Sequence, residues 1–257
     1  AADLGAVFNG RNLVEGVDYT MAYSGNRKLG AATFKIIGKG NFKGTTAPVS
    51  FTVTQQDIAR LTNIIISDVT KKNAKKYGNV NLTIRDFDGK ALKKGTDYTV
   101  AYTKQDGTTP IEGTPGVGDV IRATIKGTNC YTGTACADFR IIEDSVDISR
   151  AKVKVEPQSY TGKEIILSEI NPDTGKQQIF VTMKTGGAEK ALREGTDYEI
   201  LTNGYSKNIF KGTGKMTIRG INGYGGIKTV SFRINARQME HVEWYDNLYQ
   251  RTKSWFR

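Results

Sequence analysis

The sequence predicts an all-β protein made of small domains in tandem. One phrase occurs three times, as Leu13-Val-Glu-Gly16-Val-Asp18-Tyr19, Leu92-Lys-Lys-Gly95-Thr-Asp97-Tyr98 and Leu192-Arg-Glu-Gly195-Thr-Asp197-Tyr198. A second phrase trails each copy, with a glycine, an asparagine, an aromatic and another glycine: Gly38, Asn41, Phe42 and Gly44; Gly127, Asn129, Tyr131 and Gly133; Gly220, Asn222, Tyr224 and Gly226. Every copy then closes on an alternating strand, Val49-Ser-Phe51-Thr-Val53, Ala137-Asp-Phe139-Arg-Ile141 or Val230-Ser-Phe232-Arg-Ile234. Ordered recurrence of this kind is the mark of repeated modules, and 29 glycines against 5 prolines suit short strands joined by glycine turns.

Taken in order, the chain divides into residues 1–54, 55–143 and 150–235 as repeats, with 236–257 as a tail of different character. Few residues precede Leu13 compared with those that precede Leu192 within the third copy, so the first repeat is expected to lack its opening strands. No secretory leader is visible at Ala1, which reads as a mature segment or a piece of something larger. Tyr19, Met21 and Tyr23 alternate with Thr20 and Ala22, the pattern of a half-buried strand. In the second repeat Asp86-Phe-Asp88-Gly89 signals a hairpin turn. The distance from Asp97 to Tyr131 exceeds that from Asp18 to Phe42 or from Asp197 to Tyr224, which places an insertion at Gln105 to Asp119. That insertion reads either as a recognition loop or as a tolerated hairpin extension. Glu143 to Ser149 is a short polar connector, and the third repeat is complete.

The recurring Asp and Tyr have a physical account. A short carboxylate can accept hydrogen bonds from backbone groups of the preceding glycine turn, while the next tyrosine buries its ring with its hydroxyl toward the surface. A folding role is therefore expected for Asp18, Asp97 and Asp197, and no metal, cofactor or catalytic site.

A net charge of +11 is compatible with anionic partners, an acidic cell-wall polymer among them. Nucleic acid is disfavoured, because the basic residues are spread over all repeats. Their densest group, Lys71, Lys72, Lys75 and Lys76, lacks stacking aromatics and reads as a solvated loop. No apolar run is long enough to span a membrane. Cys130 and Cys136 flank a tight aromatic-glycine turn, where a disulfide is expected to add about 2 kcal/mol; two free thiols are the alternative.

Tyr160-Thr-Gly-Lys163, the Leu192 to Tyr198 phrase and Gly220 to Gly226, closing on Val230 to Ile234, resemble the bacterial immunoglobulin-like repeats of large secreted and surface proteins from Gram-positive gut bacteria. The resemblance covers about residues 7 to 235; it is fullest in the third copy and partial in the first. It implies tandem β-sandwich modules, extracellular exposure, and service as stalks, spacers or adhesive modules. It transfers no catalytic residue.

After Ile234 the period changes. Val242, Trp244, Tyr245, Leu248, Tyr249, Trp255 and Phe256 fall within about 160 degrees of arc on a helical wheel, which predicts a C-terminal amphipathic α-helix of about 30 Å. Of these, Trp244, Tyr245, Leu248, Tyr249, Trp255 and Phe256 are candidate partner-binding residues. The stripe could pack on the third repeat, fill the deficit of the first, or meet a partner protein or second copy. Membrane binding is disfavoured, because acids and bases are mixed on the polar face. Together these readings predict a non-catalytic, extracellular binding or adhesion segment of a bacterial surface protein. Its target would be a host protein, immunoglobulin among them, or a glycan. The alternative is a structural spacer, or an accessory module of a secreted hydrolase.

Overall fold

Each copy of the Gly-x-Asp-Tyr phrase closes one and the same turn, and the strands of its repeat start from it. In the computed structural model, which describes residues 6–26 and 28–237, the N–H groups of Gly16, Gly95 and Gly195 donate to the carbonyls of Tyr19, Tyr98 and Tyr198 at 2.7, 2.8 and 2.7 Å. These glycines have φ of +86°, +82° and +76°, a conformation in which a Cβ is strained. The aspartates complete the turn as expected: Asp18, Asp97 and Asp197 accept the N–H of Val14, Lys93 and Arg193 at 2.9, 2.8 and 2.9 Å. Their own carbonyls accept from Lys39, Thr128 and Ile221 at 2.8, 2.9 and 3.0 Å, which ties the first phrase to the second.

The second phrase departs from its sequence reading in one respect. Its left-handed position is held by Asn129 (φ +54°) and Asn222 (φ +47°), but in the first repeat by Gly40 (φ +64°), one place before Asn41. The two asparagines use that position to donate to the carbonyls of Thr96 and Thr196. Glycine makes the bend in the first repeat without that bond.

The described residues are all-β, as expected. The first repeat comprises a hairpin of β1 (Val7–Phe8) and β2 (Arg11–Asn12) and an antiparallel sheet of β3 (Tyr19–Ser24), β4 (Gly30–Gly38) and β5 (Val49–Val53), in the order β3-β4-β5. The second holds β6 (Gln56–Asp57), β7 (Ile64–Ile66), β8 (Val69–Thr70), β9 (Leu82–Ile84), β10 (Tyr98–Lys104), β11 (Val120–Gly127), β12 (Tyr131–Thr132) and β13 (Thr134–Ile142). Its sheets are β10-β11-β13-β8, β7-β9 and the parallel pair β6-β12. The third repeat has one sheet of β14 (Lys152–Val155), β16 (Ile179–Thr185) and β17 (Ala188–Leu192). Its other sheet, in the order β15-β20-β19-β18, comprises β15 (Gln158–Ser159), β18 (Tyr198–Ile200), β19 (Gly212–Gly220) and β20 (Ile227–Asn235).

In that third repeat the two sheets enclose a common core. Ile179, Val181 and Met183 from β16 cluster with Met216 and Ile218 from β19 and with Phe232 and Ile234 from β20, all buried. Alternation along each strand sends these side chains inward, and each fully buried one contributes about 1.5–3 kcal/mol. By internal contacts the described residues form two units, those up to 61 with 85–101 and 124–136 in one and 62–84, 102–123 and 137–237 in the other.

Helix among the described residues is confined to short 3-10 segments. One of them, Lys71–Asn79, is the lysine-rich stretch read as a loop from sequence. The expected C-terminal helix lies outside the described residues. The Asp86 turn forms as expected: its carboxylate accepts the N–H of Asp88 and Lys90 at 3.1 and 2.8 Å, and Gly89 takes φ +76°.

Two expectations need correction. The bridge between Cys130 and Cys136 is not formed, and both are exposed free thiols. Cys130 sits in the turn beside left-handed Asn129, with its carbonyl accepting the Gln56 N–H at 2.9 Å. Cys136 lies on β13 with its Sγ 3.9 Å from Thr124 Oγ1, so the hairpin sets a threonine, not Cys130, across from it. The other correction concerns Tyr198: its ring is buried, but so is its hydroxyl, which finds no hydrogen-bond partner among the described residues. Burial raises its pKa, and the charges of Glu169 and Glu194 raise it further.

Tyr198→Phe should therefore leave stability unchanged or raise it in chemical denaturation. Tyr131→Phe should lower it by about 0.5–1.5 kcal/mol, because the Tyr131 hydroxyl donates to Asp86 Oδ2 at 3.2 Å. Burial, then Asp86, pushes the Tyr131 phenol up to about 12. Its folded pKa thus lies above the unfolded value near 10, so its contribution is complete below pH 10 and is lost as the pH climbs toward 12. Melting curves across that window should fall less steeply for Tyr131→Phe. Thiol titration of the native protein should count two reactive cysteines per chain; a count of zero would restore the bridge.

Candidate interaction surfaces

The second and third repeats open on a shared segment. Asp57-Ile58-Ala59-Arg60 and Asp147-Ile148-Ser149-Arg150 each form a 3-10 turn whose first aspartate accepts the N–H two residues on, at 3.0 and 2.9 Å. The isoleucines that follow, Ile58 and Ile148, are completely buried. Each aspartate lies against the closing glycine of its own repeat's second phrase: a Cβ on Gly133 would collide with Asp57 Oδ1, and one on Gly226 with Asp147 Oδ1. Beside them, β6 runs parallel to β12, and the Ile148 N–H donates to the Gly225 carbonyl at 2.8 Å. This Asp-Ile-x-Arg signal stands plainly in the sequence. It was missed because it recurs only twice and lies ahead of the more conspicuous phrases.

The same segment continues into two pairings. β7 and β14 join β9 and β16 antiparallel, and then β8 and β15 run parallel to the ends of β13 and β20, with Val69 opposite Ile141 and Gln158 opposite Ile234.

Where the second repeat meets the third, Asp68 is the central group. Its side chain is 11% exposed, and it accepts the Arg140 N–H at 2.8 Å, the Arg140 guanidinium at 3.1 Å and the Gly226 N–H at 3.1 Å. Arg140 also reaches the Tyr224 carbonyl at 3.2 Å. One carboxylate thus pins the last strand of one repeat to the glycine turn of the next.

Two clefts flank this pin and share Asp68. The larger, about 410 Å³, is lined by Asn73, Lys76, Asn81, Asp147 and Ser149 among others. The smaller, about 330 Å³, is lined by Gln105, Asp138, Arg140 and Arg219 among others. Both are open and carry charges of both signs; the larger is mainly polar, whereas Ile66, Val120 and Phe139 make the smaller more apolar.

The insertion at Gln105 to Asp119 is held in shape by its own carboxylates. Asp106 accepts the N–H groups of Thr108 and Thr109, each at 2.8 Å, and also the Thr109 hydroxyl. The bond from the Thr109 hydroxyl, followed by the backbone bonds, holds the Asp106 carboxyl down at about 2. At the other end Asp119 accepts the Gly116 N–H at 2.7 Å, and Pro115 between them is buried. These bonds brace both ends of the loop from within.

The lysine cluster is half neutralised within the chain. Lys71 pairs with Glu143 and Lys72 with Asp144, each at 3.2 Å, while Lys75 and Lys76 are exposed. Exposed pairs of this kind contribute little, about 0–1 kcal/mol. The aromatic residues Trp244, Tyr245, Leu248, Tyr249, Trp255 and Phe256 lie outside the described residues. Among the described residues no group of three or more His, Cys, Asp or Glu side chains is placed to hold a metal, and no helix is long and apolar enough to cross a membrane.

No family model matches the chain, and no curated protein matches it. Among solved structures, the crystal structure of the S-layer protein SbsC, domains 7, 8 and 9, shows 10% identity, covering 84% of this chain and 73% of that one, with a TM-score of 0.18. A likeness that slight bears on neither fold nor function.

Asp68→Ala should destabilise the second and third repeats by about 2–4 kcal/mol, since it leaves the N–H groups of Arg140 and Gly226 without that acceptor and the half-exposed Arg140 guanidinium with only the Tyr224 carbonyl. Urea unfolding measures the loss, and amide exchange at Gly226 should quicken in the same variant. Unchanged exchange there would show that the carboxylate does not hold the joint.

Proposed function

We propose that this chain is a non-catalytic binding segment of a bacterial surface protein, built from immunoglobulin-like modules and recognising an extracellular protein or glycan, with host immunoglobulin among the candidate targets. What supports the reading is the 105–119 loop. The repeated residues are used up in making turns, whereas this loop is particular to one repeat, exposed along most of its length and braced by Asp106 and Asp119. A stiff β frame that presents a preordered loop is a common arrangement for recognition. The tandem repeats and their resemblance to bacterial immunoglobulin-like modules support an extracellular setting.

A second reading, that of a spacer, is favoured by the Asp68 joint. A carboxylate with three donors from the neighbouring strand and turn resists hinging between the second and third repeats. Stalks need that property, and binding modules can share it.

Screening against mucin, matrix proteins, immunoglobulins and glycan arrays separates the two. Replacing residues 105–119 with the short Ser24-Gly25-Asn26 type of turn should abolish the binding found in that screen, while the melting temperature stays within a few degrees. No binding in any class would favour the spacer.

A further inference from the structure

The cleft of about 330 Å³ beside the Asp68 pin holds cationic donors in reserve. Its walls come from the second and third repeats, each of which carries its opening segment. Gly226 lines it just ahead of β20, whose far end, Asn235, lies about 27 Å along the strand, so the chain leaves the third repeat away from this cleft.

The acids around the cleft are committed. Asp138 takes Arg122 in a two-point pair, with Nε and Nη2 each at 2.9 Å. Asp68 takes two backbone N–H groups and one nitrogen of the Arg140 guanidinium. The bases are not committed to the same degree. Arg140 uses Nη2 alone, toward Asp68 and the Tyr224 carbonyl, and its Nε and Nη1 have no hydrogen-bond partner among the described residues. Arg219 stands 3.6 Å from Glu199, and the two side chains are 36% and 45% exposed. A contact that long and that open to water holds the guanidinium weakly.

Between these charges the floor is apolar, from Ile66, Val120 and Phe139, and Gln105 at the root of the 105–119 loop sets an amide at the rim. Forked donors beside an apolar floor, with an amide at the edge, suit a ring that carries a carboxylate on one side, hydroxyls around its edge and C–H groups on its face. An acidic peptide brings the carboxylate without the ring face. The volume is at the lower end of the range of about 300–1,000 Å³ that small-molecule sites occupy, which is room for one such ring.

We propose that this cleft binds the carboxylate-bearing sugar of an acidic glycan, a sialic or uronic acid. The carboxylate sits on Arg219 and the remaining donors of Arg140, and the ring lies over Ile66, Val120 and Phe139. The proposal rests on the adhesion reading above and narrows it, since Gln105 belongs both to this cleft and to the 105–119 loop. The net charge of +11 favours encounter with an acidic glycan.

The experiment titrates the 257-residue protein at fixed salt with sialyllactose, methyl glucuronide, lactose and an acetylated aspartyl-glutamate dipeptide, and follows binding by calorimetry or NMR. Saturable binding of either acidic sugar, at least about tenfold tighter than lactose or the dipeptide, is the expected result; which of the two binds tells a sialylated source from a uronate-bearing one. Arg219→Gln should weaken that binding at least about tenfold, with a melting temperature within a few degrees of the parent because its pair with Glu199 is exposed. Glu199→Gln removes the competing carboxylate and should tighten it. Silence of both acidic sugars, equal affinity for lactose or the dipeptide, parental binding by Arg219→Gln or weaker binding by Glu199→Gln would overturn the proposal. A neutral glycan or a protein bound in the broader screen, with both acidic sugars silent, would overturn it and leave the adhesion reading standing.

Discussion

A carboxylate that accepts the N–H four residues before it is the interaction on which each repeat depends. Asp18, Asp97 and Asp197 each close a glycine turn from the inside, and each fixes where the following tyrosine starts its strand. Through their own carbonyls the same residues hold the second phrase, so two glycine-rich segments far apart in sequence are locked by one position. Hydrogen bonds to charged acceptors contribute about 1.5–3 kcal/mol, a large fraction of what a small domain has to spare. This explains why the phrase recurs while most of the intervening residues drift.

Glycine acts in this fold by admitting neighbours as well as by bending the chain. Gly133 and Gly226 take a left-handed backbone and also make room for Asp57 and Asp147, so a side chain at either would fail twice over. Gly225 adds a third case. A Cβ there would press on Asp68 and Ile142, so the turn that closes the third repeat doubles as the surface on which the second repeat rests. Modules this small gain stability from such shared surfaces, and the Asp68 joint follows from that need as much as from any demand for stiffness.

Much of this was legible in sequence, and what was not has physical causes. The strands and the aspartate turn were readable because alternation and the Gly-x-Asp-Tyr spacing report directly on backbone geometry. The Asn41 alignment erred by one place, since glycine and asparagine both satisfy a left-handed position and only the backbone shows which residue occupies it. The Cys130–Cys136 pairing was inferred from closeness along the chain, but hairpin register decides which residues face, and it set Thr124 opposite Cys136. Asp68 gave no signal at all, as a lone aspartate before a two-residue strand looks like any surface acid. Residues 105–119 join β10 to β11. The bracing of that loop by Asp106 and Asp119 depends on where their side chains turn, which spacing does not specify.

The exposed edge of the first repeat is also limited in what it can pair with. Between Ile37 opposite Thr45 and Phe34 opposite Val49, one strand advances three residues and the other four, so β5 is preceded by a bulge that contains Pro48. In the third repeat the pairing of β19 with β20 runs without such a break from Gly212 to Arg219. Proline lacks an N–H and the bulge twists the strand away, so only Val49–Val53 offers a regular template. In the complete repeats the added parallel strand is just two residues long and meets only the final residues of the last strand. Backbone bonds alone are then too few to hold a stranger in register. An edge built this way is a poor template for indiscriminate strand addition.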